Sequence, residues 1–306
     1  MPKSKVGPYL TLHLLVFIFG FTGIMGRYID TPSTAITVYR TGITFIVLFL
    51  YVWIKGYTIF PGWKKLILMI LSGGVIGLHW VAFFEAIKTA NVTVTMAMLA
   101  TGALFTSFLE PIFFHRRLRI HEVLLGLIVI GGVYIIRDSV DGNDAMESGV
   151  VIALIASFLS ACYSIINGKW SAAMPNDTVM VIMWEMIGAV VVVTTLFSFI
   201  DGFWAGFTQV DMKDAILIFT LAIGCTAFTN VKMIQLFRYL TPFTVTLNIN
   251  MEPIYSMVMA VILFADERMS PHFYAGAAVI LLTVVLNAVL NNIREKRESK
   301  KLLSHK

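Results

Sequence analysis

The sequence predicts an all-α integral membrane protein in which ten transmembrane helices form two inverted five-helix repeats. Three observations support this prediction: an apolar composition, ten apolar segments of membrane-spanning length, and an internal repeat. Hydrophobic residues occupy 58% of the 306 positions and charged residues 13%, and the mean hydropathy is +0.83. Soluble globular domains carry about twice that share of charged residues. We therefore expect lipid to surround most of the chain.

Ten apolar segments are long enough to cross a bilayer as helices. A helix rises about 1.5 Å per residue, so about 20 apolar residues cover roughly 30 Å of hydrocarbon. Proline, glycine, asparagine and charged residues separate the segments, and all the loops are short. The predicted spans are residues 9–26, 33–54, 65–84, 92–114, 122–136, 149–170, 178–200, 215–231, 241–264 and 273–290.

The ten spans divide into two halves followed by a charged tail. We expect residues 1–140 to form the first five-helix repeat and residues 148–292 the second. Residues 293–306 are rich in lysine and arginine, and we expect them to be a basic, disordered cytoplasmic tail. The two cysteines, Cys162 and Cys225, both fall inside spans, which favours neither a disulfide framework nor a metal site.

Lysine and arginine are unevenly distributed between the two sides of the predicted bundle. If the N-terminus is cytoplasmic, the inner loops and ends hold 17 of the 23 Lys and Arg residues and the outer loops hold 5, while Arg40 lies within a span. Positive charge is retained on the cytoplasmic side of membrane proteins. We therefore expect a multi-pass protein of the cell (inner or plasma) membrane with both termini in the cytoplasm. The net charge of +5 reflects this bias and does not favour nucleic acid as a partner.

An internal repeat relates the two halves. At an offset of 151 residues, positions 90–95 align with 241–246 and share Thr-Val-Thr, and Arg117-Leu118 aligns with Arg268-Met269. Five spans per repeat is an odd number, so the second copy is inverted relative to the first, as in many secondary transporters. The alternative is that the two spans share Thr-Val-Thr by chance.

Motifs in the second half resemble those of the EamA-type transporters of the drug/metabolite transporter superfamily. The resemblance covers nearly the whole chain and implies ten helices in two inverted repeats. The first half departs from the family pattern, with Thr101-Gly102 at the position of Glu252-Pro253. The resembling residues are Met251-Glu252-Pro253, Asp266-Glu267-Arg268-Met269-Ser270, Gly276, Gly149, Ala153, Ala161 and Tyr163.

Polar residues inside the spans are candidates for substrate binding or ion coupling. A charge at the bilayer centre costs about 2.5–3.5 kcal/mol on insertion scales, so it is expected to face protein, water or a ligand. In the ninth span the polar residues step by four, four and three along one helix face. The candidates are Arg40, His79, Trp80, Thr101, Tyr163, Asn167, Glu185, Asn230, Thr244, Asn248, Glu252 and Tyr255.

Three of these candidates are ionisable, and the sequence leaves their roles open. Arg40 and Glu185 lie in the second and seventh spans, which are counterparts under the repeat. They form an ion pair or separate contacts between helices, or else Arg40 binds a substrate carboxylate and Glu185 a proton. Glu252 is the favoured candidate for proton coupling, because a lone carboxylate in a span titrates readily. Pro253 predicts a helix kink beside it.

The third span contains further candidates whose ordinary role is structural. His79 is either a hydrogen-bonded structural group or a ligand for substrate or protons. Trp80 either stacks on a planar ligand or packs against neighbouring helices. Gly73 and Gly77 form a small-xxx-small pair, which predicts close packing of this span against another helix.

These observations predict a secondary transporter, with export as the expected direction, that moves a small metabolite or drug by alternating access. A Gly-x4-Gly-Lys-Ser/Thr loop is absent from the sequence, so ATP is not expected to drive transport. The sequence also lacks motifs such as His-Glu-x-x-His, so an enzyme is not expected. A lipid flippase or scramblase is the alternative. We expect no cofactor; the expected partners are a small-molecule substrate, the lipid bilayer and, as a further candidate, protons.

Overall fold

Helices form the first half of the chain. The computed structural model describes residues 6–114, 120–140, 143–236, 239–240, 248–249 and 251–304, and these residues contain helices and no strand. The helices of the first half are α1 (Val6–Tyr28), α2 (Ser33–Ile54), α3 (Trp63–Thr89), α4 (Val92–Leu99), α5 (Gly102–Phe114) and α6 (Ile120–Ser139).

The second half is also helical, with one segment of π-helix inside its eighth span. Together, α10, the π-helical segment and α11 form this span, which runs from Met212 to Met233. The elements are α7 (Asp144–Ala173), α8 (Thr178–Phe197), α9 (Phe203–Thr208), α10 (Met212–Thr220), the π-helical segment (Leu221–Phe228), α11 (Thr229–Leu236), α12 (Glu252–Leu263), a 3-10 helix (Ala265–Glu267) and α13 (Pro271–Ser304).

Side-chain caps begin several of these helices. Asn91 accepts a hydrogen bond from the backbone N–H of Val94 at the start of α4 (2.8 Å), and Asn143 does the same for Met146 at the start of α7 (3.1 Å). Such caps satisfy N–H groups that have no partner within the helix. Short polar residues at the loop ends therefore fix where these helices begin.

The described residues confirm an all-α integral membrane protein. They include nine helical stretches that are long and apolar enough to cross a membrane. The shorter apolar helix α12 belongs to the predicted ninth span, whose residues 241–247 and 250 lie outside the described part of the chain. In α1, Leu10, Leu14 and Phe17 are exposed and lie three or four residues apart. Such a face suits contact with lipid tails.

The most extensive helix–helix contacts have equivalent contacts between the counterpart spans of the other repeat, where the counterpart of a span lies five spans away in the chain. Helix α3, the third span, packs against α7 and α8, and the eighth span packs against α1 and α2. Likewise α1 packs against α12, and its counterpart α7 packs against α4 and α5. Helices α6 and α13, the fifth and tenth spans, pack against each other. This pattern is what two repeats related by a pseudo-two-fold axis produce.

Polar contacts between loops and helix ends join several described helices at one end of the bundle, here named the capped end. Arg27 at the end of α1 forms an ion pair with Asp266 just before α13. Lys213 pairs with Asp30 (2.6 Å), and Lys88 donates to the carbonyl of Ile29 (2.7 Å). Because α1 ends here and α13 starts here, the start of α1 and the end of α13 lie toward the opposite end.

Close packing of α3 against α8 depends on glycine. A Cβ atom added to Gly73 would lie 2.0 Å from the backbone oxygen of Glu185, and one added to Gly77 would lie 2.9 Å from the Cβ of Ala189. The small-xxx-small prediction for the third span is therefore confirmed. Gly188 of α8 approaches the backbone of Ile70 in the same way, so the two helices touch through their backbones.

Gly73→Ala is expected to destabilise the protein by about 1–3 kcal/mol, because its new methyl group forces α3 and α8 apart. Thermal unfolding of the purified protein in detergent would measure the loss. Gly168→Ala is the matched control, because a Cβ at Gly168 meets no atom within 4 Å. Equal melting temperatures for wild type and Gly73→Ala would contradict the packing described here.

The basic tail differs from the sequence prediction. We expected residues after Asn292 to be disordered, but α13 continues as a helix to Ser304. The physical reason is local composition, since Lys, Arg, Glu and Leu dominate residues 294–303 and all are good helix formers. The prediction of disorder is therefore wrong for this segment, and only positions 305–306 lie outside the described residues.

Candidate functional site

Two equivalent spans are interrupted at the same repeat position. The fourth span breaks between Leu99, where α4 ends, and Gly102, where α5 begins. In the ninth span α12 begins at Glu252, which corresponds to Thr101 at the offset of 151 residues. Pro253 has no N–H to donate to the carbonyl of Ile249, which explains an interruption there. Interrupted helices at mid-membrane form the solute sites of many transporters.

Arg40 on α2 has few hydrogen-bond partners in the described part of the chain. Its side chain is only 3% exposed. The guanidinium donates one hydrogen bond from Nε to the hydroxyl of Thr226 (2.8 Å), and its Cζ lies 4.5 Å from the ring centre of Trp80. A cation–π contact of this kind contributes roughly 0.5–2 kcal/mol. The Nη1 atom is buried and has no hydrogen-bond partner in the part of the chain that the structure describes.

The π-helical segment places Thr226 where it meets Arg40. In this wider helix turn the Thr226 hydroxyl donates to the carbonyl of Leu221, five residues earlier (2.8 Å). Thr44, one turn after Arg40 on α2, donates to the carbonyl of Ala222 in the same segment (3.0 Å). π-helical turns occur frequently at functional sites, because they expose backbone groups that an α-helix would use internally.

Glu252 interacts electrostatically with Arg40 without forming an ion pair. Each charge acts on the other, but their charged atoms lie beyond the 4.0 Å limit of an ion pair. Glu252 is partly exposed, and its carboxylate accepts no hydrogen bond from the described part of the chain. Two opposite charges thus lie inside the membrane-spanning region without an ion pair between them.

Several buried polar atoms have no hydrogen-bond partner among the described residues. They include the hydroxyls of Thr22 on α1 and Ser256 on α12, as well as Nη1 of Arg40. Ser256 lies one helical turn after Glu252 and close to Gly23, the neighbour of Thr22. Buried polar groups are nearly always paired, so several unpaired ones indicate a site that receives a ligand or water.

Glu185 forms a second, separate cluster. Its Oε1 accepts a hydrogen bond from Ser72 (2.6 Å), and its Oε2 accepts from Tyr163 and from Asn167 (2.9 Å each). Glu185 is fully buried, so these three bonds stabilise a carboxylate that water does not reach. Among the sequence candidates, the structure brings Tyr163, Asn167 and Glu185 together.

The structure does not pair Arg40 with Glu185. Each contacts a hydroxyl in the opposite repeat instead: Arg40 binds Thr226 of the eighth span, and Glu185 binds Ser72 of the third span. These two contacts are equivalents under the repeat, since α2 and α8 are counterparts and so are the third and eighth spans. The ion-pair alternative is therefore wrong, and separate contacts between helices are observed.

His79 and Trp80 have distinct surroundings although they are neighbours in sequence. His79 donates from Nδ1 to the carbonyl of Ala156 on α7 (2.8 Å) and stacks on Phe83 (6.0 Å between ring centres). Because Nδ1 carries the proton in this contact, Nε2 is left as an acceptor. Trp80 instead presents its ring face to Arg40.

The remaining candidates lie at the edges of the two clusters. The Thr101 hydroxyl contacts that of Ser157 (3.0 Å), and Asn230 donates to the carbonyl of Thr226 (2.8 Å). Tyr255 bonds to His13 (3.1 Å), away from the Arg40 cluster. Asn248 is partly buried beside the α12 interruption, and Thr244 lies outside the described residues.

Sequence reasoning missed the hydroxyls that hold the two charged groups. A signal existed for both. Thr226 precedes Asn230 by four residues and Ser72 precedes His79 by seven, so each shares a helix face with a residue already selected. These two hydroxyls were not selected because serine and threonine are common in spans and carry no charge.

Comparisons with known proteins identify the architecture. A model of the EamA-like transporter family matches residues 7–137 and 147–289. Among 17 matching chains of solved structures, one titled "Crystal structure of protein" has a TM-score of 0.61 and 15% identity, and the match covers 94% of this chain and 98% of that chain. At that identity the likeness concerns the fold alone. A comparison with curated proteins gives no significant match.

Proposed function

The chain belongs to the EamA-like transporter family, and we propose on that premise that it is a secondary transporter moving a small metabolite or drug by alternating access. The observation that carries the proposal is the pair of opposite charges, Arg40 and Glu252, held without an ion pair beside an interrupted helix. Charges inside a membrane are costly and are retained where solutes or ions bind.

The two repeats are proposed as the moving units. In this proposal the repeat of residues 1–140 adopts the conformation of the repeat of residues 148–292, and the reverse. Both repeats make equivalent helix contacts, which makes such an exchange feasible. A membrane transporter contacts lipid and a small-molecule solute, and we propose protons as the coupling ion through Glu252. We further propose export across the cell membrane, with both termini and the basic segment 293–306 in the cytoplasm. The uneven distribution of lysine and arginine supports this orientation.

In this orientation the capped end faces outward and is closed. Ion pairs and backbone contacts join α1, α3, the eighth span and the start of α13 there. Alternating access requires these contacts to separate when the site opens outward. Side-chain pairs exposed at such an end contribute little to stability, about 0–1 kcal/mol each, so they suit a contact that must break repeatedly.

Locking the capped end is expected to stop transport. Arg27→Cys with Asp266→Cys places two thiols at an observed ion pair, and a short reversible thiol cross-linker would join them. The background would carry Cys162→Ala and Cys225→Ala, once it is shown to transport. Solute flux into proteoliposomes should fall to the protein-free level and return after reduction.

Single-cysteine variants treated with the same reagent are the controls, because they cannot be bridged. Full flux through the cross-linked protein would contradict alternating access. Movement of a fluorescent lipid instead of soluble solutes would favour the flippase or scramblase alternative.

A further inference from the structure

Arg40 has the geometry of a binding group for one end of the substrate. Resting on the proposed function, we propose that the substrate carries a carboxylate, that this group binds the guanidinium of Arg40, and that Glu252 competes with it for the same positive charge. The inference specifies the chemical class of the solute, which the fold leaves open.

The first support is the unfilled donor capacity of Arg40. A guanidinium has five N–H donors in a planar fork that matches a carboxylate. Among the described residues only Nε is paired, with Thr226, and the buried Nη1 has no partner there. An arginine that served packing alone would have its donors satisfied by neighbouring carbonyls, since unpaired buried donors are destabilising.

The second support is that the guanidinium is held in place before any ligand arrives. Trp80 covers one face of the group at 4.5 Å, Phe84 lies 5.8 Å from it, and Thr226 fixes Nε. With one face and one edge occupied, the remaining N–H groups of the guanidinium are the donors that a planar acceptor would engage. Preorganised bidentate contacts of this kind select carboxylate over neutral groups.

The third support is the position of Glu252. Its carboxylate feels the charge of Arg40 but does not reach it, and it accepts no hydrogen bond from the described residues. A bound substrate carboxylate would lie near a second negative charge. Removal of the Glu252 charge is therefore expected to strengthen substrate binding, whereas removal of the Arg40 charge weakens it.

The test measures binding to purified protein in detergent, without any gradient. Probes are matched pairs of a carboxylate and its primary amide: propionate and propionamide, benzoate and benzamide, indole-3-acetate and indole-3-acetamide. We expect at least one carboxylate to raise the melting temperature while its amide does not. Arg40→Gln should weaken that binding by about 30-fold or more, and Glu252→Gln should tighten it.

Two further variants keep the test decisive. Arg40→Lys retains the charge but lacks the fork, so it should bind the carboxylate at an intermediate affinity and serves if Arg40→Gln fails to fold. Arg137→Gln is the matched control, because Arg137 is exposed and paired with Glu147. Equal binding of amides and carboxylates, or no carboxylate binding that depends on Arg40, overturns the proposal.

Binding and flux measurements together distinguish a failure of the carboxylate proposal from a failure of the proposed transporter function. Carboxylate binding that depends on Arg40, without flux in proteoliposomes, would uphold this inference and reject the transporter. Flux of neutral solutes that is indifferent to Arg40→Gln would uphold the transporter and reject this inference.

Discussion

Glu252→Gln is expected to abolish transport driven by a proton gradient while leaving the fold intact. Glutamine has nearly the same shape but takes up no proton, so an imposed gradient would no longer drive accumulation. Flux against a concentration gradient should fall to the level of protein-free liposomes, and downhill flux should persist at a reduced rate. Substrate accumulation in proteoliposomes under an imposed pH difference measures this directly.

The fold should tolerate Glu252→Gln because Glu252 accepts no hydrogen bond from the described part of the chain. Removing a charge from the interior also removes its desolvation cost, so the free energy of unfolding should be unchanged or slightly higher. Glu147→Gln is the matched control, since Glu147 pairs with Arg137 at the surface. Accumulation by Glu252→Gln that equals wild type would exclude Glu252 from coupling.

The architecture was predictable because the bilayer imposes few solutions. Every backbone polar group in hydrocarbon must be paired within the chain, so apolar segments of this length become helices. Pro253 predicted a kink beside Glu252, whereas the break at the equivalent position Thr101 in the fourth span was not predicted. Hydropathy did not reveal the π-helical segment, because an additional residue in a helix turn changes the packing and leaves the composition unchanged.

The candidate site was predictable only in part. Scarcity of charge inside the spans pointed to Arg40, Glu185 and Glu252, since each such group is costly there. Their partners were not predictable, because Arg40 and Thr226 lie 186 residues apart and meet only through helix packing. The contacts of Glu267 were not predictable either, because the family resemblance singled out this residue without indicating what it contacts.

Glu267 connects the second repeat to the first through two backbone hydrogen bonds. Its Oε1 and Oε2 accept from the N–H groups of Val92 and Thr93, each at 2.8 Å. Glu267 is fully buried. These N–H groups begin α4 and have no partner inside the helix, and the carboxylate also lies at the positive end of that helix. The repeat equivalent of Glu267 is Arg116, so the first half cannot form the same contact with a carboxylate.

Glu267→Ala is therefore expected to be the most destabilising of the substitutions considered, by about 3–5 kcal/mol, because it leaves two buried N–H groups unpaired. Glu267→Gln should have an intermediate stability, since its amide retains one acceptor but directs an NH2 group at the other donor.

Asp266→Asn is the neighbouring control: Asp266 is 62% exposed and its ion pair with Arg27 contributes about 0–1 kcal/mol. Thermal unfolding and hydrogen exchange at Val92 and Thr93 measure both effects. Equal stability of Glu267→Ala and Asp266→Asn would mean that α4 does not depend on this cap.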